Sequence, residues 1–295
     1  MYKKFLFLYK QRNLFDLFRI VIDRIFPFNS TSFKSCQKIL EGKTGIEIGG
    51  PSYLFSREGA FPIYPIIKNL DNCNFAENTL WEGKLLEGDT FDYDQEHTYG
   101  YQYVQDSTNL SKIKNLYYDF VLSSHVIEHI ANPIKALLEW VRVIKDEGIL
   151  VIILPHKDGT FDHKRPVTDL SHIINDYNKE ISESDLTHLN EILELHDLDK
   201  DSGAGNFEHF RERSLNNFQN RCLHHHVFDT YSAMNLIDHL NLKILSVEPM
   251  LPFHIVIVAK KSSENNNEEI FTSFTKGKIS SPFKNDKQVV NKLKG

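Results

Sequence analysis

The sequence predicts an α/β fold built on a mostly parallel sheet with helices on its faces. Three observations carry that expectation. Short apolar runs alternate with helical patterns at about 44–48, 63–70, 101–105, 119–123 and 148–154, as parallel strands joined by helices do. A helix is marked at 133–145 by Asn132 as cap and Pro133 in the first turn. Its apolar positions Ile134, Leu137, Leu138, Val141 and Ile144 recur at helical spacing, so they are expected to face the sheet. Finally, the strand candidates 242–248 and 253–259 are joined by only Pro249-Met250-Leu251-Pro252. So short a link cannot be a parallel crossover, and the pair is expected to be an antiparallel hairpin that reverses the last strand.

The ends read differently. MYKKFLFLYKQRNLFDLFRIVIDRIF has the look of a leader, but Lys10 and Arg12 interrupt the apolar run and no small-residue cleavage site follows. Phe15, Phe18, Ile22 and Ile25 recur at helical spacing among Lys3, Lys4, Arg19 and Arg24, which predicts a retained basic amphipathic helix. Such a helix either packs on the main domain or makes peripheral contact with a membrane. From Lys261 onward the chain is rich in Asn, Ser and Lys and predicts a flexible tail. The expected organisation is a helical segment at 1–42, a core at 43–155, an insertion at 156–229, the end of the core sheet at 230–260 and a polar tail at 261–295.

With 295 residues the chain can bury a large core, and 34 Lys and Arg against 40 Asp and Glu give a net charge of −6. That balance argues against nucleic acid as a partner. No apolar run approaches the roughly 20 residues of a bilayer span. Cys36, Cys73 and Cys222 are widely spaced, which points to a reducing compartment and a cytoplasmic location.

Chemistry concentrates where strands end. The first strand delivers Glu47-Ile48-Gly49-Gly50-Pro51, and a glycine pair at a strand's carboxyl end lets a ligand approach the backbone closely. Asp71 follows the second strand, Asp106-Ser107 the third, and DFVLSSHVIEHI runs through the fourth and beyond. A carboxylate at the second position is suited to the hydroxyls of a ribose.

Together these features resemble the class I S-adenosylmethionine-dependent methyltransferases, above all in DFVLSSHVIEHIANPIKALLEWVRVIKDEGILVIILP. The resemblance covers roughly residues 40–155. It implies a Rossmann-like, seven-stranded, mostly parallel sheet with a reversed terminal strand, and S-adenosylmethionine as cofactor. It further implies that Glu47, Gly49 and Gly50 line the methionine end, that Asp71 binds the ribose and that Asp106 and Ser107 lie by the adenine. Ser124 and His125 would flank the sulfonium. Pro51 and Tyr53 stand where further glycines are usual in the family, and Glu77 and Asp89 are alternatives for the ribose acid. Ser123-Ser124-His125 differs from the Asp/Asn-Pro-Pro-aromatic motif of nucleobase amino methylases, which disfavours a flipped base as substrate.

Nine of the 14 histidines lie between His156 and His226. The insertion that holds them is too long for a simple crossover and should cover the cofactor crevice. Three readings stand side by side: hydrogen-bonded scaffolding of an irregular cap, a substrate pocket, or a metal site. In the pocket reading His163, Arg165, His224 and His226 bind the substrate. The spacing matches no standard metal array, so no metal is expected. His156, directly after the fifth strand, is the first candidate for a general base and His125 the second.

The sequence thus predicts a methyltransferase acting on an oxygen or nitrogen of a small-molecule or glycan-type acceptor. The alternatives are a non-catalytic binding protein of the same fold and a nicotinamide-dependent oxidoreductase, although the GxGxxG fingerprint of the latter is absent.

Overall fold

A computed structural model describes residues 30–94 and 99–294. The basic helix expected near the N-terminus lies outside the described residues. Helix α1 (Thr31–Leu40) leads into β1 (Thr44–Ile48) and β2 (Asn69–Asn74), followed by the small hairpin β3 (Asn78–Thr79) and β4 (Gly83–Lys84). Next come β5 (Gly88–Asp92), β6 (Tyr99–Val104), β7 (Tyr118–Ser124), α2 (Pro133–Val143) and β8 (Ile144–Pro155). The insertion forms α3 (Leu170–Asn178), α4 (Leu189–Leu195), α5 (Phe207–Leu215) and the single turn α6 (Asn217–Asn220). The chain returns through α7 (Thr230–His239), β9 (Lys243–Met250) and β10 (His254–Lys260), and closes with α8 (Glu268–Thr275) and α9 (Lys284–Lys294).

The main sheet has the order β5-β6-β2-β1-β7-β8-β10-β9. Strands β6, β2, β1, β7 and β8 pair in parallel, whereas β10 is antiparallel to both neighbours, the reversal predicted from its short link to β9. An eighth strand was not anticipated. Strand β5 adds antiparallel to the edge at β6, and only Phe91 and the neighbouring Tyr93 of this polar stretch are buried.

The second strand lies further along the chain than its apolar pattern suggested. Residues 63–70 contain a turn of 3-10 helix at Tyr64–Ile66, where Pro65 interrupts the run, and β2 itself reads NLDNCN. Those amides survive inside a sheet because they are bonded: Asn72 Nδ2 donates to the Gly50 carbonyl and to Gln102 Oε1. In α2, the Asn132 side chain accepts from the Lys135 N–H as its cap, and Ile134, Leu137 and Trp140 are buried. Leu138, expected to face the sheet, is exposed. One apolar layer, with α2, α7 and α8, covers one face of the sheet, and a second, with α1 and Phe55, Phe61 and Tyr64, covers the other.

The C-terminal segment is not a flexible tail. Phe274 and Phe283 are buried, and Asp286 is 1% exposed. The Asp286 carboxylate accepts from the N–H and Oγ1 of Thr230 and from Ser281 Oγ, and its Oδ1 lies 3.1 Å from His156 Nε2. Sequence pattern misses this docking because it rests on two phenylalanines and one polar hub rather than an apolar period.

Burial raises the Asp286 carboxyl, but the bonds from His156, Ser281 and Thr230 outweigh it and hold the group below the ordinary carboxylate value. Asp286→Ala is therefore expected to cost roughly 3 kcal/mol in urea unfolding at neutral pH, since it strands buried partners. A carboxylate lowered in the folded state stabilises above its unfolded value. The gap between wild type and variant should thus be full above about pH 4 and shrink as pH falls further.

Candidate functional site

The site is built where β1, β2, β6 and β7 end. Gly49 leaves β1 with φ +80°, and its N–H donates to the Cys73 carbonyl of β2. A Cβ there would sit 2.6 Å from Val126 Cγ2, so this glycine is required both by backbone conformation and by close approach to the turn after β7. Gly50 is pinned from β2, with its N–H donating to Asn72 Oδ1 at 3.1 Å.

Glu47 lies beneath the turn and not in the cleft. It is fully buried, and its carboxyl accepts from Tyr64 Oη at 2.7 Å and from the Ser52 N–H at 3.0 Å. Burial pushes this group up to about 8, with the Tyr64 and Ser52 bonds pulling back only part of the way.

The β7 edge carries the densest chemistry. His125 adopts φ +56°, its N–H donates to the Ile153 carbonyl, and its Nε2 lies 2.9 Å from Nδ1 of His254 at the start of β10. Its Nδ1 is 3.6 Å from Glu128 Oε1. Glu128 is 1% exposed on a 3-10 turn, Ile127–His129. Burial raises its carboxyl, yet the surrounding His125, His129 and His224 hold it below the ordinary value, while burial drives His129 down to about 3.

The insertion lies across this edge. The His226 N–H donates to the Glu128 carbonyl, and His129 Nδ1 lies 3.1 Å from the Leu223 carbonyl. Arg221 reaches the end of β6, with Nη2 3.1 Å from Asp106 Oδ2 and its guanidinium over the Phe75 ring beyond β2. His224 Nδ1 is 2.5 Å from Asp162 Oδ2.

Of the sequence-predicted residues, the structure brings Gly49, Gly50, Asp106, Ser124 and His125 to one edge, and His224 joins them from the insertion. Ser107 is beside them, its carbonyl accepting from Trp140 Nε1. Asp71 is not at the strand end: it pairs across from Ile46 in mid-strand, and its carboxylate accepts from Tyr118 Oη at 2.5 Å and the Tyr101 N–H at 2.9 Å. It ties strands together and is not placed for a ribose.

His156 is likewise ruled out as a general base. It is fully buried, stacked on Phe283 at 3.9 Å, with Nδ1 accepting from the Asp158 N–H and Nε2 facing Asp286. Arg165, proposed to bind an anionic substrate, is 1% exposed and consumed by Asp162, Glu191 and the His224 carbonyl. His226 is buried with Nε2 3.3 Å from the Ala131 carbonyl, and His163 pairs with Asp197 within the insertion. These three are scaffolding. Sequence pattern carries no sign of it, because Asp197, Glu191 and the Ala131 carbonyl, partners of His163, Arg165 and His226 respectively, all lie more than 25 residues away.

Sequence reasoning did not assign Glu128, His129 or His254 to the site. The first two sit inside the SSHVIEH run and were legible as residues just beyond a strand end; nothing around His254 marks it.

The edge also tests whether an adenosyl sulfonium cofactor fits. Among the described residues, Ser123 Oγ, Ser124 Oγ, Gln105 Nε2 and Glu128 Oε2 are buried without a hydrogen-bond partner, and all four lie at or just past the carboxyl ends of β6 and β7. Unpaired buried polar atoms at one edge, beside a glycine turn that admits close approach, suit a polar ligand.

Residues 87–152 match the family model described as a methyltransferase domain. The matched stretch runs from β5 through β6, β7 and α2 into β8, so it contains the edge that carries Ser124, His125 and Glu128. Among solved structures, a SAM-dependent methyltransferase from Aquifex aeolicus aligns with 12% identity and a TM-score of 0.42, covering 81% of this chain and 92% of its own. The N-methyltransferase NodS from Bradyrhizobium japonicum aligns with 10% identity and a TM-score of 0.44, covering 79% and 94%. No curated protein matches the sequence significantly. No helix of the described residues is long and apolar enough to cross a membrane.

Two outcomes follow. Gly49→Ala places a methyl group against Val126 in a backbone region disfavoured for side chains, and calorimetry should show cofactor binding weakened at least about tenfold; Val126→Ala in the same chain should restore part of it. For Glu47, a folded-state value raised above the unfolded one means that the native state holds more protons between about pH 4.5 and 8. Wild-type stability relative to Glu47→Gln should accordingly fall as pH rises through that window, by at most roughly 1.4 kcal/mol per unit.

Proposed function

We propose that this chain transfers a methyl group from S-adenosylmethionine to an oxygen or nitrogen of a small-molecule or glycan-type acceptor, beneath the segment from Arg221 to His226. The observation that carries this reading is the contact of the Gly49–Gly50 turn with the turn after β7, which sets a glycine cradle beside Ser124, His125 and Glu128. Gly49, Gly50, Ser124, Gln105 and Asp106 would hold the cofactor. When bound, it supplies an electrophilic methyl group on a sulfonium.

His125 takes the place first given to His156. It is the one of the two rings with solvent access, 25% of its side chain being exposed, and it is steadied on either side by Glu128 and His254. For a hydroxyl acceptor it would receive the proton at Nε2, in exchange for the contact with His254 Nδ1, while Glu128 orients the ring through Nδ1; an amine that arrives neutral asks less of it. Positioning of acceptor and methyl group supplies much of the remaining acceleration.

The acceptor class is argued from the rim. Trp81, 45% exposed, lies 5.4 Å from the His129 ring, and Phe218, 62% exposed, lies beside Arg221. Exposed rings beside polar groups form a surface on which the faces of a sugar can stack while its hydroxyls are bonded.

Calorimetry with S-adenosylmethionine and its demethylated product tests the reading. Binding of both well below millimolar supports it, and binding of neither at millimolar concentration overturns it. With radiolabelled methyl donor and a panel of sugars and amines, His125→Ala should lower turnover by about 10²–10⁴ and leave cofactor affinity unchanged. Undiminished turnover would remove His125 from the proton transfer.

A further inference from the structure

We propose that Glu128, His129 and His224 form a binding site for a divalent transition-metal ion of the zinc class. One ligand atom from each residue lies within 4.8 Å of the other two, and the His129 and His224 rings stand nearly perpendicular, 4.5 Å apart. His129 Nε2 and Glu128 Oε1 are separated by 3.9 Å. Bonds of about 2.0–2.2 Å to a tetrahedral ion need neighbouring ligand atoms about 3.3–3.5 Å apart, so the His129–Glu128 pair closes by about 0.5 Å on binding.

The partners behind the three residues distinguish a ligand set from three neighbours. His129 turns Nδ1 to the Leu223 carbonyl and His224 turns Nδ1 to the Asp162 carboxylate, which leaves Nε2 of both rings to face the cluster. A backbone carbonyl or a carboxylate on the far nitrogen is the device that fixes the tautomer of metal-ligating histidines. Asp162 is itself held by Arg165 Nη1 at 2.9 Å. Independently, Glu128 Oε2 is buried with no hydrogen-bond partner, an orphaned acceptor in a residue 1% exposed.

A second cluster, His172, Asp176 and His188, meets the same distance criterion. There Nε2 of His172 lies 3.0 Å from Nε2 of His188 and 3.1 Å from Asp176 Oδ2. Those atoms satisfy one another without an ion.

Two imidazoles and one carboxylate leave a coordination position open, the pattern of catalytic rather than structural zinc sites. Resting on the function proposed above, an ion held there, beside His125 and Trp81, would take an acceptor oxygen or nitrogen in that position, orienting it and favouring loss of its proton.

The test uses the full chain, stripped with chelator and titrated with Co(II) and then Zn(II), with no methyl donor present. One Co(II) per chain with visible d–d absorption, displaced by one equivalent of Zn(II), is expected. Glu128→Gln and His224→Ala should each lose that spectrum, whereas His188→Ala keeps it. Asp162→Asn retains every ligand and should weaken binding about 10–100-fold, so the inference stays testable if Glu128→Gln does not fold by circular dichroism. No Co(II) spectrum in wild type, full binding by the His224 variant, or loss only in the His188 variant would each overturn the site. Binding of metal without binding of S-adenosylmethionine would instead count against the proposed function alone.

Discussion

A carboxylate buried at the mouth of a parallel sheet is the constraint on which this architecture turns. Glu128 sits one turn past β7 with almost no solvent, and a charge so placed must be compensated by polar neighbours. Compensation comes from three directions: His125 on the β7 turn itself, His129 on the next residue, and His224 from nearly a hundred residues further on. Each of these imidazoles is anchored elsewhere in turn, by His254, the Leu223 carbonyl and Asp162. Polar geometry thus ties the insertion to the sheet edge, while Ile173 and Phe228 anchor it in the main core and Ile192, Ala204, Phe210 and Leu223 form the buried part of its own apolar cluster.

The same logic divides the histidines by role. His156, His163 and His226 each turn Nε2 to a carboxylate or a backbone carbonyl and brace the scaffold. His125, His129 and His224 converge on Glu128 and the cleft. The last helix belongs to the bracing: Asp286 reaches across to His156 at the end of β8 and to Thr230 at the start of α7.

Much of the fold was legible in the sequence. The parallel sheet follows from alternating apolar runs, and the reversed β10 follows from a four-residue link. The glycine turn and the SSHVIEH run both point to the strand edge where the structure gathers Ser124, His125 and Glu128, since strand ends in such sheets gather chemistry whatever the substrate. What pattern could not supply was the partner of a buried polar group. Asp71 at a strand and His156 after one are indistinguishable in sequence from ligand-binding residues; Tyr118 and Asp286, 47 and 130 residues away, decide otherwise. Strand β2 escaped for the converse reason, since NLDNCN is polar yet fully paired.

On the function proposed above, cofactor and acceptor meet at the edge joining Gly49, Ser124 and Glu128 under the Arg221–His226 segment. A crystal structure with the demethylated cofactor bound tests it most directly. The account predicts its adenosyl and amino-acid portions along the carboxyl ends of β1, β6 and β7, in contact with Gly49, Ser124 and Asp106. A molecule bound elsewhere, with Ser124 and Gln105 untouched, would contradict it.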